Sequence, residues 1–108
     1  MITLPHYALP EIDFNEVDTT CIFLKTRLSF PFMITGMTGG TERGDNLNLA
    51  FAEVANQCKV ALGVGSQRSS IAHNRSQNEL RRLAPDIPLI GNIGGVQLAQ
   101  ENGLDLAK

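Results

Sequence analysis

Three short polar segments of the sequence carry the residue types that could bind a ligand, and each follows an apolar run. The segments are residues 36–40, residues 66–68 and Asn92. Glycine in the first of them allows the backbone to come close to a planar or phosphorylated ligand. The side chains of Thr38, Ser66 and Asn92 each offer a donor and an acceptor, which suits the edge of a heteroaromatic ring. Arg68 adds a positively charged guanidinium group, whose forked set of N–H donors can bind two oxygens of a phosphate.

Each of these positions also has a purely structural interpretation. Glycines that follow strands are common turn residues, and Thr38 or Ser66 could cap the helix that comes next. Arg81 and Arg82 are interpreted as a solvated helix face or as a pair of charges at a helix C-terminus, and they receive no function. The ligand-binding interpretation therefore depends on the three segments meeting at one edge of the fold.

Composition and charge narrow the class of protein. Of the 108 residues, 43% are hydrophobic and 19% are charged, which is typical of a folded chain. The net charge of −2 gives no electrostatic case for nucleic acid or an acidic membrane, and no apolar run is long enough to span a bilayer. Cys21 and Cys58 form no closely spaced pair, so zinc ligation has no support, and we expect Cys58 to be reduced and buried. We therefore expect a cytoplasmic protein that binds neither nucleic acid nor a membrane, and we assign no catalytic or metal-ligating residue.

The polar segments are positioned by short apolar runs that favour β-strands, at residues 32–35, 60–64 and 87–90. The strand ends near Gly36, Gly65 and Asn92 are 29 and 27 residues apart. After the first run, a helix is predicted from apolar residues at spacings of three and four, namely Leu47, Ala50, Phe51, Val54, Ala55 and Cys58.

Further helices and a lead-in complete the predicted order of elements. A capping-box pattern at residues 76–79 predicts a short helix that Pro85 ends, and further helices are predicted near Val96 and Leu104. Residues 1–20 are predicted to be extended, and the runs at 20–24 and 27–30 favour a hairpin.

Strands that alternate with helices at this spacing favour parallel βα units, as in a barrel whose eight units occupy roughly 250 residues. The predicted fold is α/β. It is a partial TIM (β/α)8 barrel that consists of the first three or so βα units after an extended and hairpin lead-in.

Four stretches of the sequence resemble type 2 isopentenyl-diphosphate isomerase, in order and across nearly the whole chain. They are ALPEID at residues 8–13, MITGMTGG at 33–40, GVGSQR at 63–68 and APDIPLIGNIGGVQL at 84–98. The resemblance implies an enzyme of isoprenoid biosynthesis that interconverts isopentenyl and dimethylallyl diphosphates. It also implies reduced FMN, with NADPH as the reductant, a divalent metal such as Mg²⁺, a (β/α)8 barrel and a homo-oligomer.

Carried across by motif, the resemblance implies a set of site residues. FMN would contact Gly36, Met37, Thr38, Ser66 and Asn92, and the substrate diphosphate would contact Ser66, Gln67 and Arg68. The family's Arg-Lys segment is expected before Met1, and its His-Asn-Pro-Leu-Gln-Glu segment, with the metal ligands, is expected beyond Lys108. Residues 1–108 are therefore expected to be the N-terminal fragment of one FMN-binding barrel domain, inactive by itself. The alternatives are a fragment of another FMN-dependent barrel oxidoreductase and a remnant without catalytic function.

Overall fold

The computed structural model describes residues 2–38, 41–67 and 78–99 of the chain. After a 3-10 helix at Phe14–Glu16, the strands are β1 (Cys21–Phe23), β2 (Thr26–Leu28), β3 (Met33–Ile34), β4 (Ala61–Ser66) and β5 (Leu89–Asn92). The helices are α1 (Glu42–Cys58), α2 (Asn78–Leu83) and α3 (Gly95–Leu98). The helix predicted near Leu104 and the first half of the capping box at residues 76–79 lie outside the described residues.

The predicted hairpin is present as an antiparallel pair of β1 and β2, in which Cys21 lies opposite Leu28 and Phe23 opposite Thr26. The turn consists of Leu24 and Lys25, one residue earlier than the sequence indicated. Both have positive φ, 47° and 64°, the left-handed conformation that a two-residue hairpin turn requires at both central positions. The turn therefore forms without the Asn-Gly pair that usually marks it.

The other three strands form a parallel sheet in the order β3-β4-β5. Met33 pairs with Ala61 and Ile34 with Leu62, while Leu62 also pairs with Leu89 in β5. The prediction of three adjacent parallel strands in chain order is confirmed by this register. Because parallel strands point the same way, their carboxyl ends lie at one edge of the sheet.

The prediction of a partial (β/α)8 TIM barrel was wrong. The described strands form two separate sheets, one antiparallel with two strands and one parallel with three. A barrel closes only when its strands share a consistent tilt and stagger and the last pairs with the first. Here β3 contributes only two residues, and α2 and α3 have only six and four residues. The described residues thus form an open, mixed α/β arrangement.

The core lies between α1 and the parallel sheet and is built largely from small residues. Its buried apolar members are Leu28, Ala52, Ala55, Ala61, Leu62, Val64, Ala84 and Ile87. Along α1 the buried residues are Gly44, Asn48, Ala52 and Ala55, whereas Leu47 and Val54 are 41% and 50% exposed. The helix is therefore rotated away from its predicted apolar stripe, because small side chains let its backbone approach the sheet. Cys58, predicted to be buried, is exposed.

The residue after α1, Lys59, joins three parts of the chain. It ends the helix in the left-handed conformation with φ 53°, and its carbonyl accepts a hydrogen bond from the Ser29 N–H at 2.9 Å. Its ammonium group lies 2.7 Å from the Asp86 carboxylate. This hydrogen bond, together with the Lys59 charge, holds the pKa of Asp86 below its ordinary value. The pair therefore stabilises the fold above the ordinary carboxyl pKa, and this effect is lost as the pH falls through the lowered one.

Arg81 was interpreted from the sequence as part of a solvated helix face or of a charge pair at a helix C-terminus. It lies in the last turn of α2, and it binds the segment between α2 and β5. One guanidinium nitrogen, Nη1, donates to the carbonyl oxygens of Ala84 and Ile87, both at 2.9 Å. We expect Arg81→Ala to lower the free energy of unfolding by about 1–2 kcal/mol, since hydrogen bonds from a charged donor are lost. The measurement is the midpoint of urea denaturation.

The neighbouring Arg82 provides a matched control for this change. Arg82 forms a 3.9 Å ion pair with Glu79 on the exposed side of α2. Such pairs contribute little, so Arg82→Ala should change the free energy of unfolding by less than about 0.5 kcal/mol. Equal losses for the two alanine variants would contradict the role assigned to Arg81.

Candidate functional site

The carboxyl ends of the three parallel strands bring the predicted ligand-binding segments together. Ser66 is the last residue of β4 and pairs with Asn92, the last residue of β5. The Gln67 N–H donates to the Asn92 carbonyl at 2.9 Å, which extends the pairing past the end of β4. Gly36 lies two residues beyond β3 and packs against Val64 of β4. We call Gly36, Met37, Thr38, Ser66 and Asn92 the strand-end rim.

The backbone at Gly36 lies unusually close to β4. A Cβ atom placed on Gly36 would be 2.5 Å from the Val64 carbonyl oxygen and 3.2 Å from the Gly65 Cα. Both neighbours are backbone atoms, so no side-chain rotation could relieve the contact. The first reason for glycine at this position is therefore packing between two strand ends, whereas the sequence interpretation assigned it to close approach of a ligand.

The rest of the strand-end rim is open to solvent and polar. Ser66 and Asn92 are exposed, and Met37 is 78% exposed. Thr38 is half-buried, and its hydroxyl donates a hydrogen bond to Oδ1 of Asn48 in α1. The rim thus presents hydroxyl and amide groups beside an exposed thioether, an arrangement that fits the edge and face of a flat, partly polar ligand.

Gln67 lies beneath the rim and not on it. The residue is only 6% exposed, and its side-chain amide donates to the Gly65 carbonyl at 3.1 Å. Together with the bond from its backbone N–H to Asn92, this contact joins the ends of β4 and β5. The side chain would have to turn outward before it could contact a substrate.

The charges at the start of α1 bear on whether a neutral ring or a phosphate group can bind beside it. The Thr41 hydroxyl caps this helix by accepting from the Gly44 N–H at 3.1 Å, and Glu42 and Asp45 occupy its first turn. The electropositive end of a helix attracts anions, but here the two carboxylates outnumber the single arginine of this turn, Arg43, and leave a net negative charge. The loop that leads into α1 therefore suits a neutral ring edge better than a phosphate group.

Several predicted positions lie outside the described residues, namely Arg68 and the glycines at 39 and 40. Within residues 2–38, 41–67 and 78–99, no three or more His, Cys, Asp or Glu side chains are grouped so that they could hold a metal ion. In the same ranges no helix has the length and apolar character needed to cross a membrane.

Sequence reasoning missed Asn48, the buried residue that contacts the strand-end rim. Asparagine is a weak helix former, because its amide competes for backbone hydrogen bonds. Its place between Leu47 and Leu49, in the middle of a helix, was the available signal. That signal could not name Thr38 as the partner, since the contact depends on how α1 is rotated against the sheet.

An apolar cavity of about 240 Å³ lies at the opposite end of the parallel strands. It is lined by the hairpin and by the first residues of β3 and β4, Met33 and Ala61. The cavity is thus separated from the strand-end rim by the length of β4.

Comparison with known proteins gives one consistent result. No family model matches the chain. The isopentenyl-diphosphate delta-isomerase of Pseudescherichia vulneris is 42% identical over an alignment of 106 residues, which covers 95% of this chain and 30% of that protein. The proteins of the same name from Methanothrix thermoacetophila and Vibrio parahaemolyticus are 47% and 41% identical, over 90% and 99% of this chain. The alignments cover 28% and 32% of the length of those two proteins. The chain therefore spans about 30% of the length of the curated relatives it matches.

These names correct the narrower assignment made from the sequence. They describe an isomerase that acts on isopentenyl diphosphate, which is a small molecule. They specify neither the type 2 class nor a flavin. The assignment to the type 2, FMN-dependent family is therefore replaced by the coarser one. Over nearly its whole length, the chain is similar to isopentenyl-diphosphate delta-isomerases.

Proposed function

We propose that this chain is part of an enzyme that interconverts isopentenyl diphosphate and dimethylallyl diphosphate. The observation that carries the proposal is its 41–47% identity, over 90–99% of its length, to proteins named for this reaction. The exposed polar edge at the carboxyl ends of β3, β4 and β5 supports the proposal, because ligands of βα proteins bind at such edges. Residues 1–108 would then be one section of a larger domain.

We also propose that the strand-end rim contacts FMN, through Gly36, Met37, Thr38, Ser66 and Asn92. The exposed hydroxyl and amide groups of the rim support a heteroaromatic edge there. So do the carboxylates at the start of α1, because they disfavour a phosphate group. When bound in its reduced form, with NADPH as the reductant, FMN would supply proton transfer to and from the substrate alkene. The chain's own groups would hold the ring in place.

The substrate diphosphate is proposed to lie beside the end of β4, against Ser66, Gln67 and Arg68. An exposed serine at the strand end supports this position, and the forked guanidinium of arginine matches a diphosphate. No described residue is proposed as a ligand of Mg²⁺.

Homo-oligomerisation stays a prediction. So does a cytoplasmic location, which the unbridged Cys21 and Cys58 support.

The test of the proposed function is a chimera. This chain replaces the matching 106 residues of the Pseudescherichia vulneris isomerase, and conversion of isopentenyl diphosphate is measured with Mg²⁺, NADPH and with or without FMN. Turnover within about tenfold of the parent enzyme is expected, and it should require FMN. A folded chimera without turnover would contradict the function. Turnover that is unchanged after FMN has been removed would leave the function standing and refute the flavin site.

In that chimera we expect Arg68→Ala to weaken diphosphate recognition and leave flavin content unchanged. The loss of a charge-assisted, bidentate contact should cost about 1.5–3 kcal/mol, seen as an increase in KM for isopentenyl diphosphate. Arg43→Ala, an exposed arginine in the first turn of α1, is the control and should leave KM unchanged. Wild-type kinetics in the Arg68 variant would remove that residue from the site.

A further inference from the structure

We propose that Asn48 is a positioning residue: it fixes the Thr38 side chain so that Thr38 offers the ligand a hydrogen-bond acceptor. The ligand part of this inference rests on the proposed function, whereas the effect of Asn48 on Thr38 does not. The two residues are ten positions apart, one on α1 and the other in the loop that follows β3.

The burial of Asn48 makes a specific role necessary. The residue is 6% exposed and lies on the face of α1 that also buries Gly44 and Ala52. A buried amide that lacks hydrogen-bond partners costs free energy, and asparagine also weakens the interior of a helix. An apolar residue would avoid both penalties. The hydrogen bond with Thr38 offsets them.

The direction of this hydrogen bond determines what Thr38 can offer to a ligand. The Thr38 hydroxyl donates its single proton to Oδ1 of Asn48. A hydroxyl that already donates its proton in one hydrogen bond can only accept hydrogen bonds from other partners, through its lone pairs. Thr38 would therefore accept a hydrogen bond from a ring N–H group, and it could not donate one to a ring carbonyl oxygen. Asn48 thereby selects the donor edge of a heteroaromatic ligand without touching it.

The first test needs no ligand. Three-bond couplings of the Thr38 methyl group report whether its χ1 angle occupies one rotamer, and they are measured by NMR in the full chain. One rotamer is expected in the wild type, and averaging is expected in Asn48→Leu. Asn48→Asp keeps the acceptor oxygen and should restore the single rotamer. Averaged couplings in the wild type, or unaltered couplings in Asn48→Leu, would overturn the inference.

Asn56→Leu is the matched control for a loss of stability alone. Asn56 lies on the same helix, and its side-chain oxygen accepts from the Asp86 N–H at 3.1 Å, away from the strand-end rim. This variant should lose stability without changing the Thr38 couplings. If it averages them as Asn48→Leu does, the effect is general loosening of α1 and the inference fails.

The second test uses the chimera described above and measures the dissociation constant of FMN for its wild-type form and for its Thr38→Val, Asn48→Leu and double variants. Each single change should weaken binding about tenfold, the effect of one hydrogen bond. The double variant should bind no more weakly than either single one, because the two residues act through one contact. Multiplicative losses would overturn the inference. Absence of FMN binding in the wild type would refute the flavin proposal, and the rotamer measurement would still decide the role of Asn48.

Discussion

Replacement of Leu62 by alanine is expected to lower the free energy of unfolding by about 2–5 kcal/mol, the range for truncating a buried leucine. Leu62 is 0% exposed and is the largest of the fully buried side chains. It lies in β4, the central strand of the parallel sheet, where it pairs with Ile34 on one side and Leu89 on the other. The buried apolar residues that α1 contributes to the same core, Ala52 and Ala55, are too small to fill the space left by the missing atoms.

Leu47→Ala is the control, and it also tests how α1 is rotated. Leu47 belongs to the predicted apolar stripe but is 41% exposed, so we expect a loss below about 1 kcal/mol. Chemical denaturation of both variants, with unchanged slopes against denaturant, gives the comparison. Equal losses would mean that the stripe, and not the alanine face, packs against the sheet.

Replacement of Gly36 by alanine is expected to disrupt the strand-end rim and to lower the free energy of unfolding. The added methyl group would lie 2.5 Å from the Val64 carbonyl oxygen and 3.0 Å from its carbonyl carbon. Overpacking typically costs about 1–3 kcal/mol, and a contact with backbone atoms places this change at the upper end of that range or above it. The strands must separate at their carboxyl ends to accommodate the methyl group, so the proposed binding of FMN should weaken as well.

Gly91 provides the matched control for this substitution. It also lies at the carboxyl end of a strand, beside Asn92, but a Cβ there meets nothing within 4 Å. Gly91→Ala should therefore change the free energy of unfolding by less than about 1 kcal/mol, since only the backbone entropy of glycine is altered. Thermal denaturation and FMN titration of the two variants decide the matter. A tolerated alanine at Gly36 would show that the two strand ends do not meet as described.

The sequence was sufficient to locate the strands, because short apolar runs ending in glycine and polar residues are distinctive. The hairpin and the three parallel strands were predicted at the right places and in the right order. The error was to extend their regular spacing to a barrel. Spacing of βα units constrains which strands are neighbours, but closure depends on tilt, stagger and strand number. No local pattern in the sequence reports those quantities.

The orientation of side chains was harder to predict than the positions of elements. The apolar stripe of α1 predicted Leu47 and Cys58 to be buried, yet both are exposed, because close packing of Ala52 and Ala55 determines the contact face. Gln67, for which the resemblance implied contact with the substrate, is only 6% exposed, and that contact stays a prediction. In each case the deciding factor is how near the backbone comes to the sheet, which hydrophobicity alone does not encode.

For the site, the sequence could identify the strand-end positions but not the residues behind them. Gly36, Ser66 and Asn92 do meet at one edge, since parallel strands align their ends. Contact of these residues with FMN stays a prediction. Asn48 could not be connected with Thr38 from sequence, because that pairing exists only after α1 has packed on the sheet.

The connections made around Lys59 have a consequence for the order in which the chain folds. Lys59 and Asp86 are 27 residues apart, and Asn56 and Asp86 are 30 residues apart. Among the described strands, β4 pairs with β3 on one side and with β5 on the other, so each pairing joins strands that are consecutive in the sheet and in the chain. Each of these connections therefore closes a loop of about 30 residues, and the entropy of closure grows only slowly with length. During synthesis, each strand can thus dock on the one made before it, so that the sheet grows from β3 towards β5 as the chain leaves the ribosome.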